Sequence, residues 1–253
     1  MCLQTIFVSG SFAAEPRRCC LGLGTRSGTC FSSQSQFGEE TTVIDAFGWH
    51  DKSDGVYVEI GALDGIKYSN TLSLHTCLGW TGLLVEGSPR NFHFLRRNLL
   101  TTRPENVVAH FGAVCAPPLT NTTFLRGRKH GAVDADIRHV SDTVTQDHAH
   151  HRRTTVPCKP MSWYLQSLPR GHVDFFSLDV EGAELEVLLT MNFNAVVVEV
   201  FMVELHAQAE SDKVRGWKVR NLLENLGYQE CQHAKVKYSG LFVRRQGPYV
   251  ANC

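Results

Sequence analysis

The chain carries no net charge, because its 25 Lys and Arg are matched by 25 Asp and Glu. A protein held to nucleic acid or to an anionic membrane by bulk charge needs an excess of one sign, so neither is an expected partner. No apolar run reaches the ~18 residues that a spanning helix requires. The nine cysteines form no CxxC pair and no zinc spacing. Their odd number leaves at least one thiol unpaired in a monomer. The opening MCLQTIFVSGSFAA ends in small residues but lacks the basic start of a secretory signal. No internal repeat is present. The compartment stays open between cytoplasm and secretory lumen, and so does the oligomeric state.

What is present is enough for a sizeable core: 253 residues, 43% of them hydrophobic. Residues 1–38 are rich in Gly, Ser, Cys and Arg without periodicity and read as a poorly ordered leader. Residues 39–253 read as a single domain. Within it GVYVEI, TGLLVEG, NVVAHFGAVC, VDFFSLDV and NAVVVEV are strand-like runs. Helical patterns lie between or after most of them: about Asn70 to Cys77, RNFHFLRRNLL behind the cap pair Ser88-Pro89, EGAELEVLL and DKVRGWKVRNLLENLG. Strands alternating with helices predict an α/β fold with a mostly parallel sheet covered on both faces. GYQECQHA and SGLFVRR read as a closing hairpin-like pair that adds an antiparallel strand. The polar stretch from about 126 to 153 breaks the pattern and is expected as a long loop.

In such a sheet, ligands bind beyond the carboxyl ends of the strands. Three acidic sequences fall there. In E-I-G-A-L-D-G, Gly61 and Gly65 permit a sharp turn close to a ligand. The spacing is GxxxG, not the GxGxxG of dinucleotide sites, and Glu59 leads it. A carboxylate there repels a pyrophosphate but suits the ammonium of a methionine moiety, which disfavours a nicotinamide oxidoreductase. Glu86 ends the second run, 27 positions after Glu59, where a carboxylate can accept both hydroxyls of a ribose. In F-S-L-D-V-E-G-A-E, Asp179 and Glu181 stand at a strand end. They can meet a cation, orient a hydroxyl, act as a base, or simply cap the next helix.

VEIGALDG, SNTLSLHTCLGWTGLLVEGSPRNF, the AVC and VPCKP segments and DFFSLDVEGAELEVL together resemble the FkbM-type methyltransferase family, from about Gly55 to Val200. The GWTGLLVEGSP wording is similar to its eukaryotic or algal branch. The resemblance implies a Rossmann-like seven-stranded methyltransferase fold, S-adenosylmethionine as cofactor, and usually O-methylation of a hydroxyl on a sugar or another small-molecule or glycan acceptor. It implies cofactor contacts at Glu59, Gly61, Asp64, Gly65, Asn70, Glu86 and Asp179. We read Glu59 and Asp64 as holding the methionine end, Glu86 the ribose, and Asp179 with Glu181 the catalytic region around the methyl. Many members carry Asn or Tyr where this chain has Leu63. In that branch Cys115 and Cys158 occupy recurrent cysteine positions. A bridge between them would clamp both ends of the polar stretch, worth roughly 2–4 kcal/mol; two buried thiols are the alternative.

Other features carry less. His148, His150 and His151 lack the rigid spacing of a metal site, and methyl transfer from a sulfonium needs no metal, so none is expected. RGRKHG reads as a solvated face or an anion contact. His206 is a surface histidine or a base reaching the strand ends. Asn121-Thr122-Thr123 is a glycosylation sequon that matters only in the secretory pathway. A rival from another class is a non-catalytic methyltransferase-like interaction module in secretory trafficking. The retained acidic set argues against it.

Overall fold

The structure is a computed structural model, and it describes residues 33–126, 131–133, 152–168, 171–206 and 209–253. The chain runs α1 (Glu39–Phe47), β1 (Val56–Ile60), α2 (Leu72–Thr76), β2 (Thr81–Glu86), α3 (Pro89–Thr102), β3 (Val107–Phe111), β4 (Ala113–Val114), β5 (Asn121–Arg126), β6 (Gly131–Val133) and β7 (Arg152–Lys159). It continues α4 (Met161–Leu165), β8 (His172–Leu178), α5 (Glu184–Leu189), β9 (Val197–Glu204), α6 (Glu210–Asn225), β10 (Tyr228–Glu230) and β11 (Ser239–Arg244).

The seven-stranded sheet has the order β10-β11-β9-β8-β1-β2-β3. β1, β2, β3, β8 and β9 are parallel, and β11 lies antiparallel to both β9 and β10. The expected Rossmann-like sheet is therefore present. Side chains alternate across it, as the pleat requires. Val58 and Ile60 join one core layer with Phe176 and Phe201, beneath α4, α5 and α6. Tyr57 joins the other with Phe175, Trp49 and Trp80, beneath α1, α2 and α3. Both faces are buried, which is why the strands read as continuous apolar runs. α3 starts as expected: Pro89 sits in its first turn and the Ser88 hydroxyl accepts from Asn91 N at 3.4 Å.

The third run, NVVAHFGAVC, departs from the single strand expected of it. At Gly112 (φ 152°) the chain leaves the large sheet. A Cβ there would lie 2.5 Å from the Tyr164 hydroxyl and 2.9 Å from Pro157 O, so the turn demands glycine. β4 then opens a second sheet of order β4-β7-β5-β6. The polar stretch expected as a loop over 126–153 is correspondingly narrower. β5 runs through Arg126, residues 131–133 pair back onto it, and β7 begins at Arg152. RGRKHG lies partly, and His148, His150 and His151 wholly, outside the described residues.

Cys115 and Cys158 are bridged, with Cα atoms 5.6 Å apart, so the bridge and not the pair of thiols holds. A second bridge, Cys231–Cys253, ties the chain end to the segment after β10. Most of the expected leader, 1–32, lies outside the described residues. Its last part does not read as loose: the Phe37 ring meets Tyr238 at 5.5 Å, and Phe37 N donates to Glu39 Oε2 at 2.7 Å.

Candidate active site

Chain order reverses on either side of β1, so β1 and β8 flank the crevice where such sheets bind ligands. Backbone bonds stitch the strand ends together: Gly61 N to Val85 O (3.0 Å) and Asp179 N to Ile60 O (3.1 Å). Gly61 has φ 88°, and a Cβ on it would lie 1.8 Å from Asp179 O. Only glycine lets the first acidic turn pass this close to the third. The cleft above holds about 990 Å³ of empty space. Glu59, Gly61, Asn70, Glu86, Asp179 and Glu181 all line it.

Asp64 and Gly65 are not among the residues that line it. Asp64 Oδ1 accepts from Ile66 N (3.0 Å) and Lys67 N (2.8 Å), closing its own turn. Gly65 packs under the turn: a Cβ there would meet Leu95 Cδ1 of α3 at 2.5 Å. Glu59 faces the cleft but is already engaged. Its oxygens accept from Asn70 N (2.7 Å), Ser69 Oγ (2.9 Å) and Thr71 Oγ1 (2.6 Å). Arg103, wholly buried, lies 3.8 Å away and donates to Tyr57, Ser69, Thr71 and Gly65 O. Glu59 thus pins the 69–71 segment, and that segment presents Asn70. The Asn70 amide nitrogen donates to Ser177 Oγ (3.1 Å), while its buried Oδ1 has no hydrogen-bond partner among the described residues.

Glu86 is buried, and desolvation pushes its carboxyl up to about 7 against the pull of two backbone N–H groups. One oxygen accepts from Ser88 N (2.6 Å) and the other from Leu63 N (2.8 Å), and the Asn91 side chain adds a further hydrogen bond. Leu63 has φ 48°, a left-handed conformation that Asn adopts at less cost than Leu.

The third acidic set is larger than its sequence motif. Glu204, the last residue of β9, joins Asp179 and Glu181, and it also borders the cleft. Asp179 and Glu204 face each other closely enough to interact directly. Desolvation and the like charges of Glu204 and Glu181 hold Asp179 well above the usual carboxylate range. Desolvation and Glu181 push Glu204 up to about 8. His206 Nε2 stands 2.9 Å from Glu204 Oε1. Glu184 Oε1 accepts from Gly182 N (2.9 Å) and Val180 N (3.3 Å) and so ties the turn ahead of α5, whose N-cap Ala183 has no side-chain cap bond. Glu181, Glu204 and His206 have potential ligand atoms within 4.8 Å of one another, the one such grouping among the described residues. Glu204 was missed in the sequence, although it repeats the signal that marked Glu86: an acid closing an apolar run.

A second recess of about 380 Å³ adjoins the cleft. Asn70, Ser177, Asp179 and Glu204 border both. Phe37, Tyr68 and Tyr238 line the recess, and Lys237 Nζ sits 4.2 Å and 4.9 Å from the Phe37 and Tyr238 ring centroids.

These strand ends belong to a methyltransferase. The methyltransferase FkbM domain matches residues 59–230, more than half of the chain, and the chain belongs to that family. S-adenosylmethionine is the cofactor that goes with it. Among solved structures the chain is similar to a precorrin-6y C5,15-methyltransferase from Geobacter metallireducens, at 16% identity and TM-score 0.43 over 81% of this chain and 85% of that one. It is similar to a methyltransferase FkbM from Methylobacillus flagellatus, at 15% identity and TM-score 0.43 over 76% of this chain and 44% of that one. A SAM-dependent methyltransferase from Aquifex aeolicus aligns at 12% identity and TM-score 0.41, over 82% and 88%. No curated protein sequence matches the chain. No helix of the described residues is long and apolar enough to cross a membrane.

Proposed function

We propose that the protein is an S-adenosylmethionine-dependent O-methyltransferase acting on a hydroxyl of a sugar or another small-molecule or glycan acceptor. The observation that carries this reading is the Asp179–Glu204 pair on the wall shared by the cleft and the recess. A group that takes a proton from a hydroxyl works best with a pKa near the working pH, and Glu204 at about 8 meets that condition.

When bound, the cofactor supplies an electrophilic methyl on a positively charged sulfur. The Glu86 carboxylate accepts the two ribose hydroxyls. The buried Oδ1 of Asn70, unpartnered among the described residues, fits the ammonium of the methionyl group. Gly61 keeps β1 and β8 close enough for one ligand to span both. Asp179 and Glu204 hold the acceptor hydroxyl in line and take its proton, and His206 passes the proton toward solvent. Phe37, Tyr68 and Tyr238 offer flat apolar faces to the carbon side of a hydroxylated ring. The positive sulfur near the acidic set also offsets part of the burial and repulsion that raise Asp179.

Methyl transfer from labelled S-adenosylmethionine into fractionated extract of the source cells tests the reading. Label in a carbohydrate or other hydroxyl-bearing fraction, lost with Glu204→Gln, supports it. Label confined to amines or thiols, or undiminished with Glu204→Gln, overturns it.

A further inference from the structure

We propose that Asn121 carries an N-linked glycan and that the chain matures in an oxidising secretory compartment. Two independent observations meet here. The described residues hold five cysteines, and four of them stand in the bridges Cys115–Cys158 and Cys231–Cys253. Reducing compartments keep such thiols apart, so a chain that folds with both bridges closed calls for an oxidising one. Each bridge forms by passing two electrons and two protons to a disulfide-bearing oxidant.

The second observation is the place of the sequon Asn121-Thr122-Thr123. It opens β5 directly after residues 116–120, all of them exposed, and Asn121 is itself exposed. Among the described residues the Asn121 amide nitrogen makes a local contact, donating to the neighbouring Thr120 hydroxyl at 3.2 Å. Strand residues alternate between faces. Phe124 is buried and lines the cleft, so Asn121, three positions earlier, points to the opposite face. A glycan there leaves the cleft open. The Cys115–Cys158 bridge brackets the sequon and fixes the sheet that presents it. The modification needs a lipid-linked oligosaccharide diphosphate as donor. The amide nitrogen forms a bond to the anomeric carbon, the carbon–oxygen bond to the diphosphate breaks, and the displaced amide proton passes to a base of the transferase. None of this depends on the methyltransferase reading.

The test is expression of the full chain through the secretory pathway of a eukaryotic cell, followed by peptide-N-glycosidase digestion and by thiol alkylation under denaturing conditions. Wild type is expected to lose mass on digestion, and Asn121→Gln and Thr123→Ala to start at the digested mass. Cys115, Cys158, Cys231 and Cys253 are expected to resist alkylation until reductant is added. An unmodified Asn121 in secreted wild type overturns the glycan. Free alkylation of those four cysteines in protein isolated from the source cells overturns the compartment.

Discussion

Two acidic strand ends meet at Gly61, and they are built on opposite terms. Near the end of β1, the Glu59 carboxylate takes three hydrogen bonds from residues 69–71 and has the buried Arg103 beside it. At the ends of β8 and β9, Asp179 and Glu204 face each other, with Glu181 adding like charge and His206 beside Glu204. The first carboxylate is saturated and holds the scaffold. The second pair is raised and frustrated, the condition under which side chains bind cations or move protons. A sequence reading that weighs acids by position alone treats these as equals; counting their partners separates them.

The contrast breaks most visibly by removing the saturated member. Glu59→Ala leaves Arg103 buried without its counter-charge, and a loss of about 3–5 kcal/mol is expected in chemical denaturation. By contrast, Glu204→Gln relieves repulsion. It is expected to leave the fold at least as stable at pH 8 while methyl transfer falls about 100-fold.

Proton uptake sharpens the same comparison. Glu40, Glu86 and Glu184 are each pushed to about 7 and Glu204 to about 8, from an ordinary 4.5, in every case first by burial. A carboxyl with a raised folded pKa binds its proton more tightly when folded. Its contribution to stability is complete below the ordinary value and is lost as pH rises through the folded one. The cofactor-free protein is therefore expected to melt highest near pH 5 and to lose stability up to about pH 8, a slope that Glu204→Gln flattens in a calorimetric pH series. The smallest effect belongs to the turn between the two sites. Leu63→Gly removes a left-handed leucine and is expected to stabilise by about 1 kcal/mol in thermal melts.

The large sheet was legible because β1, β2, β8 and β9 are buried on both faces and read as unbroken apolar runs. The small sheet was not. β7 buries only Val156 and Cys158 between exposed Thr155, Pro157 and Lys159, and a proline inside a strand hides it. Glu86 and Asp179 were legible as strand-end acids. The turn-closing bonds of Asp64 were not legible, because an aspartate two residues before a backbone N–H closes its own turn as readily as it meets a ligand. Glu204 went unseen because β9 runs on through FMVE, past the VVVEV that marked it.

Calorimetric titration with S-adenosylhomocysteine tests the central claim most directly. Binding to wild type, weakened at least about tenfold by Glu86→Ala and unchanged by Asp64→Asn, is the predicted result, the loss corresponding to about 1.4 kcal/mol. No binding to wild type, or full affinity after Glu86→Ala, would contradict it.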